Sequence, residues 1–228
     1  MIRADLHTHT RFSKDSLSNI DAVLDAAVAR GLGAIAVTDH DSIRGALAAQ
    51  ERANERGLAL QVIVGEEVST NEGDLLAYFV KRRIAPGPLE EVLAEAERQK
   101  TVCASAHPYD FARHGIALEK LPARLLAKMD CIEAFNARVP LATMNAGAMK
   151  FALAHKKAIL AGSDAHHPSE IGGAYVEFAG VEKLDAAAFL HARRVIGGSR
   201  ASPLVRFYSR YAILRKKIGK LFAAPGIK

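Results

Sequence analysis

Residues 2–40 have the sequence IRADLHTHTRFSKDSLSNIDAVLDAAVARGLGAIAVTDH, and this stretch decides the fold. Two short apolar segments, at 2–7 and 34–40, flank a segment at 21–31 whose apolar residues recur with helical spacing. A strand, a helix and a second strand in this order predict a βαβ unit with two parallel strands. Both strands run into histidines and carboxylates, at the end where such units carry functional groups.

The same alternation continues along the chain to about residue 200. It predicts helices at 43–57, within 110–128, and at 88–100, 142–156 and 184–194. It predicts further strands at 59–67, 74–80, 101–107, 130–135, 158–164, 172–178 and 195–199. Asn71-Glu72-Gly73 indicates that the strand at 74–80 returns as a hairpin. We therefore expect a single domain with six or seven parallel strands.

Repeated β/α units can roll into a barrel or lie open as a doubly wound sheet, and periodicity does not separate these folds. The polar residues do, because they fall at the C-terminal ends of different predicted strands. These residues are His7 and His9, His40, Glu67, His107 and Asp164. A barrel gathers strand ends around one rim, whereas an open sheet spreads them along a line, so we predict an α/β TIM-like barrel.

The composition is that of an ordinary folded domain. Of its 228 residues, 50% are apolar and 25% are charged, which excludes the disordered and membrane classes. The net charge of +6 indicates an anionic partner only weakly, because part of the excess lies in a basic C-terminal stretch. Cys103 and Cys131 lie in apolar runs, which predicts buried reduced thiols rather than a disulfide or a cysteine zinc site.

Nothing in the sequence predicts export or membrane insertion. The N-terminus turns polar within the first six residues, and no segment reaches the roughly 18 apolar residues of a membrane span. We therefore expect a cytoplasmic protein.

The strand-end residues predict a metal site. His7 and His9 are two apart on an extended segment, so both imidazoles point to one side and can share a cation. Imidazole and carboxylate without thiolate favour zinc, manganese or iron over calcium. Two or three close cations need a bridging carboxylate, for which Glu67 is the candidate, and such cations suit phosphoryl chemistry.

Six motifs in order carry a family resemblance. They are D-L-H-T-H-T at 5–10, T-D-H-D at 38–41, V-G-E-E-V-S at 64–69, A-H-P at 106–108, I-E-A-F-N at 132–136 and G-S-D-A-H at 162–166. Over about residues 3–203 the chain resembles the PHP (polymerase and histidinol phosphatase) superfamily, in particular its standalone phosphoesterases that act on nucleotides or nucleic-acid 5′ ends. The resemblance implies a distorted (β/α)₇ barrel, with a PHP domain at 1–203 and a basic amphipathic tail at 204–228.

The resemblance also implies a trinuclear site with two or three divalent ions of manganese, zinc or iron. Its implied ligands are His7, His9, Asp15, His40, Glu67, Asp74, His107, Asp164 and His166. Asp74 is a departure, because the family often has a histidine there; Asp74 either replaces that imidazole or leaves one metal weakly bound. The residues expected to act in catalysis are Asp15, His40, Glu67 and His166.

The candidates for holding the phosphate are Arg11, Asn136 and Arg138. Arg11 and Arg138 could instead be solvated surface charges, and Asn136 with Glu133 could support the ligands or form a helix-facing polar pair. His114, His155 and His191 are expected to be structural or exposed.

The predicted function is hydrolysis of phosphate monoesters or diesters by metal-activated hydroxide, with nucleotides or nucleic-acid 5′ ends as the main substrate class. Three alternatives stay open: a histidinol-phosphate-type small-molecule phosphatase, a catalytically silent metal-stabilised binding module, and an amidohydrolase. We expect a phosphorylated small molecule or a nucleic acid as the partner, and no obligate protein partner is evident.

The C-terminal segment 204–221, LVRFYSRYAILRKKIGKL, predicts a basic amphipathic helix. Its large apolar residues lie near one helical face: Leu204, Phe207, Tyr208, Tyr211, Leu214 and Ile218. Three roles are possible for this helix. Its apolar face could pack on the barrel, its charges could extend contact along a nucleic-acid backbone, or it could dock on an anionic membrane surface.

Overall fold

The computed structural model describes residues 1–222 and has the predicted α/β architecture. Its strands are β1 (Ile2–Thr8), β2 (Ala34–Val37), β3 (Gln61–Thr70), β4 (Gly73–Tyr78), β5 (Val102–Ser105), β6 (Cys131–Asn136), β7 (Ala158–Gly162), β8 (Ala174–Phe178) and β9 (Arg194–Gly198). Its α-helices are α1 (Ile20–Ala29), α2 (Arg44–Glu55), α3 (Leu89–Gln99), α4 (Ala123–Lys128), α5 (Ala142–Ala154), α6 (Ala186–His191) and α7 (Val205–Phe222).

These strands form one sheet in the order β7-β6-β5-β4-β3-β2-β1-β8-β9. Neighbours are parallel from β1 to β3 and from β5 to β7, and β4 is antiparallel to both of its neighbours. Beyond the edge strand β7 the chain returns to β1, where the N–H of Asp164 donates to the carbonyl of His7 at 2.7 Å. The N–H of His9 donates to Ala165 at 2.9 Å. The sheet is therefore a nearly closed barrel, as the sequence predicted.

Strand β8 runs in a direction that the predicted pattern did not give. The sequence predicted six or seven parallel strands without a direction for this one, and it pairs antiparallel with both β1 and β9. Only a short 3₁₀ turn, Pro168–Glu170, lies between β7 and β8. Because a parallel connection needs a crossover of about a dozen residues or more, usually with a helix, the short link favours the reversed direction.

Local signals fix the helices that cover the sheet, as α1 illustrates. Asn19 precedes the helix, and its side-chain oxygen accepts a hydrogen bond from the N–H of Asp21. The buried residues of α1 are spaced three or four apart: Ile20, Val23, Leu24 and Ala27. Burying a large aliphatic side chain contributes about 1.5–3 kcal/mol, so this stripe, more than helix propensity, holds α1 in place.

Aromatic side chains fill one end of the barrel. Because β4 and β8 run against their neighbours, their last residues, Tyr78 and Phe178, lie away from the C-terminal ends of β1, β2 and β3. Phe189 of α6 packs on both, with ring centroids 4.8 Å from Tyr78 and 5.8 Å from Phe178. The apolar packing at this end leaves the opposite end for polar side chains.

The C-terminal helix α7 does not pack its apolar face on the barrel. Of the three roles considered for this helix, packing on the barrel was therefore wrong. Phe207 is 64% exposed, and Tyr211 and Leu214 are each 57% exposed. The small residue Ala212 is buried instead, at 2% exposure. None of the helices within residues 1–222 is both long and apolar enough to cross a membrane. Cys103 and Cys131 are buried and free, as predicted.

Candidate metal centre

All nine predicted ligands lie together at the polar end of the barrel. They form four overlapping groups, and within each group one donor atom per residue lies within 4.8 Å of the others. The groups are His9, Asp15, His40 and His166; His7, His9 and Asp164; His7, Glu67 and His107; and His40, Glu67 and Asp74. His7, His9, His40 and Glu67 each belong to two groups. Cations bound by different groups would therefore lie next to one another.

Strand geometry brings these donors to one rim. His7, near the end of β1, and His9, just after the strand, are two residues apart and point to the same side, with their Nε2 atoms 3.1 Å apart. Asp74 stands at the start of the antiparallel strand β4, opposite Ser69 of β3, so it reaches the same rim as the ends of the parallel strands. Asp74 is 5% exposed and faces His40 and Glu67, the position in which it would replace an imidazole.

Two of the donors follow their strands in a left-handed backbone conformation. His107, after β5, has φ of +64°, and Asp164, after β7, has φ of +56°. This conformation costs roughly 1–3 kcal/mol in residues other than glycine and is typically found where a side chain must be aimed. Gly162 lies close to the backbone of His7, which a Cβ would approach to 2.9 Å at the nitrogen, so this position requires glycine.

Glu67 is the centre of the cluster. Its Oε1 lies 2.8 Å from Nε2 of His107. Its Oε2 lies 3.2 Å from Nε2 of His7, 3.3 Å from Nε2 of His9 and 3.4 Å from Nδ1 of His40. Since the two oxygens face different imidazoles, this carboxylate could hold a cation with each oxygen.

The carboxylates control the charge of the histidines. Burial alone would lower the pKa of His9, but Asp164 and Glu67 raise it to about 9. Burial likewise opposes the positive charge of His7, whose pKa Asp164, Glu133 and Glu67 nevertheless raise well above its ordinary value. A histidine binds a metal ion only in its neutral form, without the added proton. Bound divalent cations would therefore replace these protons as the positive charge that balances the carboxylates.

His166 differs from these two histidines. Burial, and then the charge of His9, lowers its pKa to about 4, which leaves a neutral imidazole at neutral pH. Its Nδ1 lies 2.8 Å from the carbonyl of Asp164, and its Nε2 lies 2.9 Å from Asp15. Nδ1 also faces the guanidinium of Arg138, so Nε2 is the ring nitrogen on the side of Asp15, where a cation could bind.

Glu133 and Asn136 orient ligands from behind. Glu133 Oε1 lies 2.9 Å from Nδ1 of His7, while its Oε2 accepts a hydrogen bond from Nδ2 of Asn136 at 3.1 Å. The same amide group of Asn136 donates to Oδ2 of Asp164 at 3.1 Å. These contacts leave Nε2 of His7 and Oδ1 of Asp164 facing the cluster, and partners of this kind strengthen metal binding.

The residues present fit divalent cations. The donor set combines imidazoles with carboxylates, and Nε2 of His9 lies 3.1 Å from Nε2 of His7 and 3.4 Å from Oδ1 of Asp164. Imidazole nitrogens and carboxylate oxygens this close together suit a shared cation. Zinc, manganese and iron take such mixed ligands, whereas calcium prefers oxygen alone.

A pocket of about 440 Å³ opens onto the cluster. Lys14, Arg113 and Arg210 line it together with seven of the nine donors, all except His7 and His9. The guanidinium of Arg113 contacts the carboxylate of Asp164 and donates to Oδ2 of Asp110 at 2.8 Å. No motif marked Lys14 or Arg113, which come from loops. The nearest signal was the position of Arg113 shortly after the A-H-P segment.

The three predicted phosphate-binding residues have different surroundings. Asn136 is buried behind the ligands. Arg11 is not among the residues that line the pocket, and its guanidinium lies over the ring of Phe12 at 5.6 Å. Arg138 lines the pocket but is 5% exposed, and its guanidinium contacts Nδ1 of His166. His191, predicted to be structural or exposed, lies exposed at the end of α6.

Helix α7 is attached to the loops of this site. Arg138 donates to the carbonyl of Val205 at 3.0 Å and to Oγ of Ser209 at 2.9 Å. Lys216 donates to the carbonyl of Arg11 at 2.8 Å and also contacts the carbonyl of Ser13. The helix therefore forms one side of the pocket entrance.

The ordered donors agree with a family pattern. The pattern of the PHP domain matches residues 5–165, and a second pattern, described as PHP-associated, matches residues 143–194. The chain belongs to the PHP domain family. Helix α7 lies outside both matched segments of this PHP protein.

Relatives and a solved structure extend this likeness. The PHP chain is 29% identical over 191 residues to an uncharacterised protein, MJ0417, of Methanocaldococcus jannaschii, covering 81% of this chain and 74% of the relative. It is 42% identical over 66 residues to the 5′-3′ exoribonuclease Rnm of Salmonella typhimurium, covering 29% of this chain and 22% of Rnm. A two-domain protein from Bacteroides vulgatus, which contains a predicted PHP-like metal-dependent phosphoesterase, has the same fold. Its TM-score is 0.65 at 18% identity, over 96% of this chain and 69% of that one.

Proposed function

We propose that this PHP chain is a metal-dependent phosphoesterase. The observation that carries the proposal is a cluster of nine imidazole and carboxylate donors, seven of which line one pocket together with four lysine and arginine side chains. Such donors hold divalent cations, and guanidinium and ammonium groups attract phosphate oxygens. When bound, the cations would supply the charge that activates water near neutral pH and neutralises a phosphate group.

The positions of the chain's own residues suggest which of them take part in catalysis. Asp15 and His40 have side chains 13% and 10% exposed, more than the other donors, so a substrate reaches them first. Ser13 donates from its hydroxyl to Oδ1 of Asp15 at 2.8 Å and holds that carboxylate toward His40 and His166. We assign Asp15, His40, Glu67 and His166 to catalysis through these positions.

Substrate binding is assigned to the basic side chains of the pocket. Lys14, Arg113 and Arg210 come from three separate segments and surround the entrance. Arg138 extends the positive charge to the base of the pocket beside His166. Together they suit an ester with more than one negative charge, as in a nucleotide or a 5′-phosphorylated strand. The likeness of one segment to Rnm supports the same substrate class.

A substrate panel tests the proposal. The protein would be reconstituted with manganese, zinc or iron and assayed on nucleoside monophosphates, 3′,5′-bisphosphates, 5′-phosphorylated oligonucleotides and histidinol phosphate. We expect turnover of at least one phosphate ester, with the nucleotide substrates fastest, and solvent ¹⁸O in the phosphate released in a single turnover. Preference for histidinol phosphate would show that the substrate is a phosphorylated small molecule of that type rather than a nucleotide or nucleic acid. A metal-loaded protein inert toward every ester, or active only on amides, would overturn the proposal.

A further inference from the structure

The outward side of α7 carries a stripe of large apolar residues. The stripe consists of Leu204, just before the helix, and four residues on it: Phe207, Tyr211, Leu214 and Ile218. Their exposed fractions run from 67% at Leu204 to 45% at Ile218. The helix contacts the barrel through its other side, where Ser209 and Lys216 bond to the loops of the metal site. Packing of α7 on the barrel therefore leaves this stripe uncovered.

The surroundings of the stripe are basic. Arg210, Arg215 and Lys217 are exposed beside it, and α7 contains no acidic residue. The imbalance extends beyond the helix, because the last 43 residues of the chain contain ten lysines and arginines and no aspartate or glutamate. A partner of the stripe must therefore combine an apolar interior with negative charge at its edges.

A second copy of the chain does not meet this requirement. The stripe follows the alternating spacing of three and four residues that suits a two-stranded coiled coil. In such a pair, however, the charged residues flanking the seam would be Arg210, Arg215 and Lys217 on both helices. Like charges would then face each other whether the helices ran parallel or antiparallel.

A single-stranded nucleic acid meets the requirement only in part. Phe207 and Tyr211 could stack on bases while the flanking cations contact phosphates. Leu204, Leu214 and Ile218 would remain in water, although they make up most of the stripe. An anionic bilayer satisfies every member, because its acyl boundary receives the apolar residues and its headgroups receive the cations.

We propose that α7 docks this protein on bilayers that contain anionic phospholipid, with the stripe buried at the boundary between headgroups and acyl chains. Arg210 and Ile213 of the same helix line the pocket, so docking would hold the entrance of the metal site beside the membrane surface. The proposal rests on the surface of α7 and does not depend on the reaction that the metal centre catalyses.

Co-sedimentation of the full-length, metal-loaded protein with vesicles tests this docking. We expect binding to vesicles of phosphatidylcholine with about one third phosphatidylserine in 0.1 M salt, and at least about tenfold weaker binding to phosphatidylcholine alone. Leu214→Glu should weaken binding at least about tenfold, while Leu153→Glu, at a site 66% exposed on α5, should not change it. The double variant Arg215→Gln with Lys217→Gln should weaken binding about tenfold or more, against Lys150→Gln with Lys156→Gln as the control.

Three results would overturn the proposal. The first is wild-type protein that does not bind the anionic vesicles. The second is a dimer by light scattering that Leu214→Glu converts to a monomer, since a second copy would then cover the stripe. The third is loss of oligonucleotide binding, rather than vesicle binding, in the same variant. Thermal melting shows whether each variant folds, and the Arg215 and Lys217 double variant tests the surface independently if Leu214→Glu does not fold.

Discussion

The two faces of β3 place adjacent glutamates in opposite surroundings. On the inner face, burial would raise the pKa of Glu67, but His40 and His7 hold it well below its ordinary value. On the outer face, Glu66 accepts one hydrogen bond from the N–H of Ile84 at 2.9 Å, and burial raises its pKa to about 7. Both residues are almost fully buried, so burial alone does not decide their charge. The inner face keeps a carboxylate ionised because several cationic partners surround it.

Removing an inner-face histidine should have the largest effect on activity. His166→Ala deletes a donor from the group that holds His9, Asp15 and His40, so we expect kcat/KM to fall by about three orders of magnitude. His40→Ala should lose a similar amount. His191→Ala, exposed on α6 far from this group, should stay within about twofold of the wild type. Steady-state rates on the best substrate of the panel measure these losses, and a loss below tenfold for His166→Ala would exclude it as a ligand.

Removing the charge at the centre of the inner face should change the metal content. The wild type should bind two or three ions per chain, because nine donors exceed what one ion can use. Glu67→Gln keeps the shape but loses the bridging charge, so it should lose at least one ion, while Glu66→Gln should retain them all. Elemental analysis after reconstitution and desalting measures both. A wild type with a single ion, or an unchanged count in Glu67→Gln, would contradict the prediction.

Asp74 should have a smaller effect, because it lies at the edge of the inner cluster. Its carboxylate belongs to only one of the four donor groups, with His40 and Glu67, each of which also belongs to a second group. Asp74→Asn should reduce activity about 10- to 100-fold at limiting metal and less at saturating metal. Asp74→His should retain most activity by supplying an imidazole. Equal activity of Asp74→Asn and the wild type across a manganese titration would show that Asp74 is not a ligand.

Sequence predicted the inner face better than the parts that depend on tertiary contacts. The family motif and the predicted strand end pointed to Glu67 as a ligand, and the structure places Glu67 among the other predicted donors. The same pattern did not give the direction of β8, which depends on the short connection before it. It did not find Arg113 either, since a loop brings that residue to Asp164 without any periodic signal.

Helix α7 shows another limit of the sequence pattern. Its amphipathic spacing predicted that an apolar face exists but not that this face points outward. Arg138 and Lys216, 78 residues apart in sequence, hold the polar side of the helix against the metal-site loops. A helical period identifies two faces, and only the contacts decide which one is buried.

The outer face of β3 supplies the smallest predicted effect, on stability rather than activity. Glu66 has a pKa of about 7 in the folded protein, above the roughly 4.3 of an exposed glutamate, so the folded state holds its proton longer than the unfolded state. Between these values the free energy of unfolding should therefore fall as the pH rises, and the loss should persist above pH 7.

Glu66→Gln mimics the protonated side chain and can keep the hydrogen bond from Ile84. Relative to the wild type, this variant should gain stability on going from pH 5 to pH 8, whereas Glu51→Gln, exposed on α2, should show no such gain. Urea midpoints at both pH values, at one saturating manganese concentration, measure the difference. If the offset between Glu66→Gln and the wild type is the same at both pH values, Glu66 does not titrate in this window, and the contrast between the two faces of β3 rests on the inner face alone.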